Sequence, residues 1–248
     1  MQPRSSLANR LLEEELAVGT VLSSVSPNVA EALGYTSLDF LFVDRQHGSP
    51  TTEGLETLVR SADLSDTPVI VRIPRNGTDM ITYLFDFGVR GVMLPQVESA
   101  ATVREASTHV RYEDGRSLGS TTRAAKFGNV PKGEYAEYVN DELALLPMIE
   151  TVAGLEALDE IARLDAITAI AIGPGDLAWS LDVPFGSEAH QDAIDHVFDV
   201  AAENDCAVGI FVGSAEDIER YRDRAAFVVY GSDVGIVTSH FESVLGEE

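Results

Sequence analysis

The 248-residue chain has one cysteine, Cys206, and no apolar run approaching the ~18 residues that cross a bilayer. A single thiol excludes an intrachain disulfide and any cage of cysteine ligands, and its apolar neighbours predict a buried, reduced side chain. The opening Met1-Gln-Pro-Arg-Ser-Ser leads into a charged helical stretch and not into the apolar centre of a secretion signal, so a soluble cytoplasmic protein is expected. Lysine is almost absent: only Lys126 and Lys132 occur. A reaction that needs a lysine amine held in a pocket would have to draw on one of these, and neither falls on a predicted strand. Basic charge as a whole is scarce, with 17 Lys and Arg against 41 Asp and Glu and a formal net charge of -24, which repels nucleic acid and anionic membranes. The acids are spread along helix faces and not gathered in a tail. Such a coat suits a salt-rich cytoplasm, where screening shortens charge repulsion, and a halophilic setting is the expectation; an ordinary acidic enzyme is the alternative.

What is present is an alternation. With 45% hydrophobic residues, the chain can bury one large core, and a single domain over residues 1–248 is expected. Leu7 to Leu16 has apolar residues at helical spacing. Short apolar runs without polar alternation then recur, as expected of strands covered on both faces: Val18 to Ser24, Phe40 to Asp44, Pro68 to Ile73, Gly91 to Pro95, Leu143 to Ile149, Ala169 to Ile172, Ala207 to Val212 and Phe227 to Gly231. Helical stretches separate them, save for a long connection, Tyr112 to Asn140, of the kind that is usually functional. Eight strand–helix alternations at this length predict a (β/α)8 TIM barrel with an N-terminal and a C-terminal helix. A doubly wound open sheet is the alternative, but no G-x-G-x-x-G follows any strand.

In such barrels, catalytic groups sit at the carboxyl ends of the strands. Two successive runs there end in single acids: Leu146-Pro-Met-Ile-Glu150 and Ile172-Gly-Pro-Gly-Asp176. Side by side over an open face, Glu150 and Asp176 would offer hard oxygen ligands to a divalent cation such as Mg²⁺ or Mn²⁺. Asp44 and His47 follow the second strand, and Arg72 ends the third. Each has a plain structural alternative, a helix cap for Asp176 or an ion pair for Arg72. Five charged or titratable groups on one rim favour a shared site.

Phe40-Leu-Phe-Val-Asp44-Arg-Gln-His47-Gly, Val69-Ile-Val-Arg72, Gly91-Val-Met-Leu-Pro95, Leu146-Pro-Met-Ile-Glu150-Thr and Ile172-Gly-Pro-Gly-Asp176-Leu, in this order, resemble the HpcH/HpaI family of metal-dependent class II 2-oxo-acid aldolases. The resemblance implies reversible cleavage of 4-hydroxy-2-oxo acids to pyruvate and an aldehyde, with Mg²⁺, Mn²⁺ or Co²⁺ as cofactor. It assigns Glu150 and Asp176 as metal ligands, His47 to proton transfer, Asp44 to orienting His47, and Arg72 to the substrate's oxo group. The amides of Gly173, Gly175 and Asp176 would hold the pyruvate carboxylate; Pro174 has no donor to offer. A cation and a guanidinium against the 2-oxo oxygen suit the negative charge that carbon–carbon cleavage leaves. An imidazole, titrating near neutrality, suits transfer of the 4-hydroxyl proton.

The chain also departs from the family pattern. Gln46 replaces a glutamate that many members carry beside the histidine, Met148 stands where some have glutamine, and Val21 or Leu22 occupies the place of an acceptor-site aromatic. His109, His190, His196 and His240 read as surface or packing residues. Trp179 reads as pocket lining or core, and Arg123 as either a substrate contact or a tie for the long connection. Relatives commonly form hexamers by exchanging terminal helices, so a homo-oligomer, hexamer or trimer, is expected. Val237, Phe241 and Leu245 are compatible with that, and equally with a helix packed on its own barrel. Two other functions remain open: an acyl-CoA lyase of the citryl-CoA or malyl-CoA type, against which the shortage of lysine for a nucleotide patch counts, and a non-catalytic 2-oxo-acid binding module.

Overall fold

The computed structural model describes residues 7–12 and 15–246. Eight parallel strands close into a barrel in sequence order: β1 Ala17–Val21, β2 Phe40–Asp44, β3 Val69–Arg72, β4 Gly91–Leu94, β5 Ala144–Ile149, β6 Ala169–Ile172, β7 Ala207–Val212 and β8 Phe227–Ser232. The chain is a (β/α)8 TIM barrel. An N-terminal helix, α1 Leu7–Leu11, precedes it. Around the outside run α2 Pro27–Gly34, α3 Thr52–Ala62, α4 Ile81–Asp86, α5 Ala100–Ser107, α6 Lys132–Glu142, α7 Val152–Glu156, α8 Leu158–Ala162, α9 Pro174–Ser180, α10 Glu188–Glu203 and α11 Ala215–Tyr221, and α12 Asp233–Leu245 ends the fold. No helix among the described residues is long and apolar enough to cross a membrane.

Helix starts are written in hydroxyl side chains. Ser26, Thr51, Ser99, Thr151, Ser187, Ser214 and Ser232 each accept a hydrogen bond from the amide three residues on. Each satisfies one of the donors that a first helical turn leaves without a partner.

Successive strand residues face opposite sides, so the sequence sorts itself into two cores. Leu41, Val43, Val71, Val92, Leu145, Ile170 and Val228 face the helices. Phe40, Phe42, Ile70, Met93, Ala144, Leu146, Met148, Ala169, Ala171, Phe227 and Val229 fill the barrel, with Leu7 and Leu11 of α1 among them. Phe40 meets Phe227 edge to face at 6.0 Å, and Phe42 meets Phe211 at 5.1 Å. Gly19 of β1 and Gly209 of β7 make room for these rings: a Cβ at either would fall inside the ring of Phe40 or Phe227.

Several boundaries differ from the sequence expectation. The first strand stops at Val21, short of Ser24. The helix predicted over Leu7–Leu16 is α1 as far as Leu11, and residues 13–14 lie outside the described ones. The single helical stretch expected between β5 and β6 is broken at Ala157 into α7 and α8. The long connection contains a helix, α6, which buries only Tyr135 and Val139. These two positions, four residues apart, leave too little apolar periodicity to signal a helix.

The opposed glycine and phenyl ring at the bottom of the barrel predict a specific cost. Gly209→Ala, which overpacks the layer, destabilises by about 1–3 kcal/mol. A thermal melt checks this, and adding Phe227→Leu to the alanine variant recovers part of the loss.

Candidate active site

The same alternation that fills the barrel decides what crowns it. In β2 the inward series Phe40, Phe42 continues to Asp44; in β3, Ile70 continues to Arg72; in β5, Leu146 and Met148 continue to Glu150; in β6, Ala169 and Ala171 continue to Gly173. All four lie at the carboxyl ends of their strands. The β2–β3 register pairs Asp44 with Arg72, and the β5–β6 register pairs Ile149 with Ile172, so the next positions, Glu150 and Gly173, are neighbours.

Glu150 is the centre of the arrangement. It is only 1% exposed. Its Oε1 accepts a hydrogen bond from the Gln96 amide at 2.7 Å, while Oε2 is buried without a hydrogen-bond donor among the described residues. Burial pushes its carboxyl up to about 7; the Gln96 amide and the Arg72 charge act in the opposite sense, and the adjacent Asp176 carboxyl, within hydrogen-bonding reach, raises it further. Asp176 itself is exposed, in the first turn of α9. One acid thus forms the floor and the other the lip of a two-carboxylate site.

Gly173 keeps the floor open: a Cβ there would lie 2.5 Å from Glu150 Oε2 and 2.9 Å from its Cβ. The expectation that Gly173 donates its amide to a substrate is corrected, because that amide is bonded to the Ile149 carbonyl at 3.1 Å. Its contribution is the missing side chain. Gly175 and Asp176 are the second and third residues of α9, where amides have no acceptor within the helix. The segment is pinned from behind by His190, fully buried, whose Nδ1 accepts from the Gly186 amide at 3.0 Å. The proton therefore resides on Nε2, which donates to the Pro174 carbonyl at 2.8 Å.

Arg72 grips Asp44 with two hydrogen bonds, Nη2 to Oδ2 at 2.6 Å and Nε to Oδ1 at 3.1 Å. Burial alone would raise the Asp44 carboxyl, but Arg72 together with the Gln46 and His47 amides holds it below the usual range. The Arg72 Nη1 approaches Met148 Sδ at 3.9 Å. The expected role of Asp44 in orienting the His47 ring is also corrected: its carboxylate is occupied by Arg72, and it holds His47 only through the backbone. His47 is exposed on the β2–α3 loop, and its ring makes no hydrogen bond among the described residues.

Other expectations fall elsewhere. Arg123 is remote from the rim, where it bonds Asp63 at 2.5 Å and the Phe87 carbonyl at 2.8 Å. It ties the long connection. Trp179 is 87% exposed, so a core role is excluded. Sequence reading missed Gln96, which adopts a left-handed φ of 48° just after β4 to turn its amide toward Glu150. That conformation, uncommon outside glycine and asparagine, has no signature in Pro95-Gln96-Val97. Among the described residues no three His, Cys, Asp or Glu side chains cluster as a complete metal cage. The two-acid site fits a cation nevertheless: hard oxygen donors, one of them buried without a partner, face an open lip where water or substrate can complete the shell.

The HpcH/HpaI aldolase/citrate lyase family matches residues 18–240. The chain belongs to this family. It is 31% identical over 241 residues to the 2-dehydro-3,6-dideoxy-6-sulfogluconate aldolase of Pseudomonas putida, covering 95% of this chain and 93% of that one. To the 5-keto-4-deoxy-D-glucarate aldolase of Enterobacter sp. (strain 638) it is 32% identical over 236 residues, covering 92% and 91%. The crystal structure of an HpcH/HpaI aldolase from Desulfitobacterium hafniense superposes with a TM-score of 0.91 at 25% identity, over 97% and 95% of the two chains. The protein is an enzyme, a carbon–carbon lyase of the aldolase kind.

For this HpcH/HpaI barrel, the buried acid makes stability depend on pH in a definite sense. A carboxyl whose folded pKa is raised binds its proton more tightly when folded, so its contribution is fully present below about 4.5 and is lost as pH rises to about 7. In metal-free protein, Glu150→Gln removes that decline, which is on the order of 3 kcal/mol at ~1.4 kcal/mol per pKa unit. Denaturant melts at pH 4.5 and 8 test this; parallel profiles for the two proteins contradict it.

Proposed function

We propose that the enzyme is a divalent-metal-dependent aldolase that cleaves 4-hydroxy-2-oxo acids to pyruvate and an aldehyde, and runs the reverse addition. The observation that carries this is the buried, unpartnered Glu150 Oε2 beside the Asp176 carboxyl, with Arg72 close enough to influence Glu150. Glu150 and Asp176 would hold Mg²⁺, Mn²⁺ or Co²⁺. Bound there, such an ion supplies concentrated positive charge where cleavage develops negative charge.

The chain's own groups do the rest. The free amides of Gly175 and Asp176 at the start of α9 receive the substrate carboxylate, on a segment that His190 immobilises. Arg72, locked by Asp44, presents its remaining N–H edge to the 2-oxo oxygen. Breaking the C3–C4 bond leaves its electron pair on the pyruvate half, whose C3 then takes a proton from solvent to give pyruvate, while the 4-hydroxyl oxygen gives up its proton and becomes the aldehyde carbonyl. His47, solvent-exposed at the rim, takes that proton and returns it to solvent. Gln46 beside it carries no charge, so His47 works without a neighbouring carboxylate on that side.

The setting proposed with this chemistry is a halophilic cytoplasm and a homo-oligomer, trimer or hexamer. Val237, Phe241 and Leu245 of α12 are 56%, 58% and 76% exposed, which excludes their packing on their own barrel and supports cover by a second copy.

Exchange of pyruvate methyl protons with deuterated solvent, followed by proton NMR, tests the half-reaction without knowledge of the aldehyde. It is expected with Mg²⁺, Mn²⁺ or Co²⁺ and is expected to vanish with EDTA or in Glu150→Ala. Exchange that persists with EDTA overturns the metal assignment. His47→Ala is expected to slow cleavage of a 4-hydroxy-2-oxo acid by about 10²–10⁴ with unchanged metal affinity.

A further inference from the structure

A cavity of about 580 Å³ opens at the amino-terminal end of the barrel, lined by residues of α3, the turn before β4, the 123–130 loop and α6. Arg90 in its wall immediately precedes β4, whereas Glu150 follows β5; because the strands are parallel, the cavity and the aldolase site lie at opposite ends. Its lining contradicts the character of the molecule. Of the 17 basic residues in a chain of net charge -24, Arg60, Arg90, Arg123 and Lys126 all face this one space, against Asp63 and Glu134.

The cations are not equally available. Arg123 is bonded to Asp63, and Arg60 to Glu56 at 2.5 Å. Arg90 donates to the Tyr138 hydroxyl at 2.7 Å and lies 5.4 Å from that ring, with Glu142 near enough to sense its charge. Lys126 forms no ion pair among the described residues. In the same wall Tyr135 is only 2% exposed. Tyr135 stacks on Tyr138 with ring centroids 6.1 Å apart, which gives the wall an aromatic face. At the mouth Phe127 is 67% exposed, and Lys126 and Phe127 both hold left-handed φ values, 48° and 57°, that side chains other than glycine adopt at a cost.

We propose that this cavity is a second binding site, for a small organic anion that carries a planar ring. Lys126 meets the charge, and the Tyr135–Tyr138 pair with Phe127 encloses the ring. The volume falls within the ~300–1,000 Å³ of small-molecule sites. Neither the acids of the aldolase site nor the metal proposed for it takes part.

Isothermal titration of the full chain with phenyl phosphate and with benzoate tests this and distinguishes a phosphate from a carboxylate ligand. Inorganic phosphate and benzyl alcohol serve as probes of the charge and the ring alone. The expected result is saturable one-to-one binding of at least one ring-bearing anion, at least tenfold tighter than either half-probe. Lys126→Glu, a change at an exposed residue, is expected to weaken it at least tenfold. Phe127→Ala, which removes the ring at the exposed mouth, is expected to weaken it threefold or more without lowering the melting temperature. Glu150→Gln and Arg72→Met are expected to leave it unchanged. Three outcomes overturn the proposal: no saturable binding of either ring-bearing anion, affinity no better than that of inorganic phosphate, or binding that survives Lys126→Glu and is lost in Arg72→Met.

Discussion

A carboxylate that has been taken out of water and left one oxygen short of a partner is the constraint around which this barrel is arranged. Removing Glu150 from solvent disfavours its charge, and the Asp176 carboxyl beside it disfavours it further. Only a positive charge can stabilise two such acids together when ionised. Arg72 is near, but its guanidinium is already gripped by Asp44. The site therefore has the electrostatic form of a cation's seat, and the glycine at position 173 keeps a side chain from filling it.

This arrangement is inexpensive for the fold to build because it extends the barrel's own geometry. Below the rim, the inward positions of β2, β3 and β5 hold phenyl and aliphatic groups that pack a dry interior. One step further along each strand, the same inward direction delivers Asp44, Arg72 and Glu150 at the edge of that interior. The apolar layer beneath limits water at Glu150 and so amplifies the charge effects there. Rigidity is supplied from outside the rim. Gln96 turns its amide inward through an unfavourable backbone conformation, and His190 clamps Pro174 from behind α9. Both position the site without joining it.

How much of this the sequence carried depends on the range of the interaction concerned. Strands buried on both faces announce themselves as uninterrupted apolar runs, so the eight staves and the acids at their ends were legible. The helix α6 was hidden because it is polar around nearly all its circumference. The resemblance assigned Asp44 to orienting His47, three residues away, while the register of β2 with β3 places Arg72 directly alongside Asp44. Gln96 and His190 act through a backbone conformation and a contact to a carbonyl sixteen residues away, and neither leaves a pattern in residue type. Gly173 was noticed for its amide, whereas its role lies in the atoms it lacks.

Membership of the HpcH/HpaI family and the barrel do not depend on the proposed metal. Crystals soaked with Mn²⁺ and pyruvate, with data collected at the manganese absorption edge, test it most directly. The account predicts one anomalous peak coordinated by carboxylate oxygens of both Glu150 and Asp176, with pyruvate in contact with the ion. A peak bound elsewhere, or pyruvate ordered over the rim with no ion touching both acids, would contradict it.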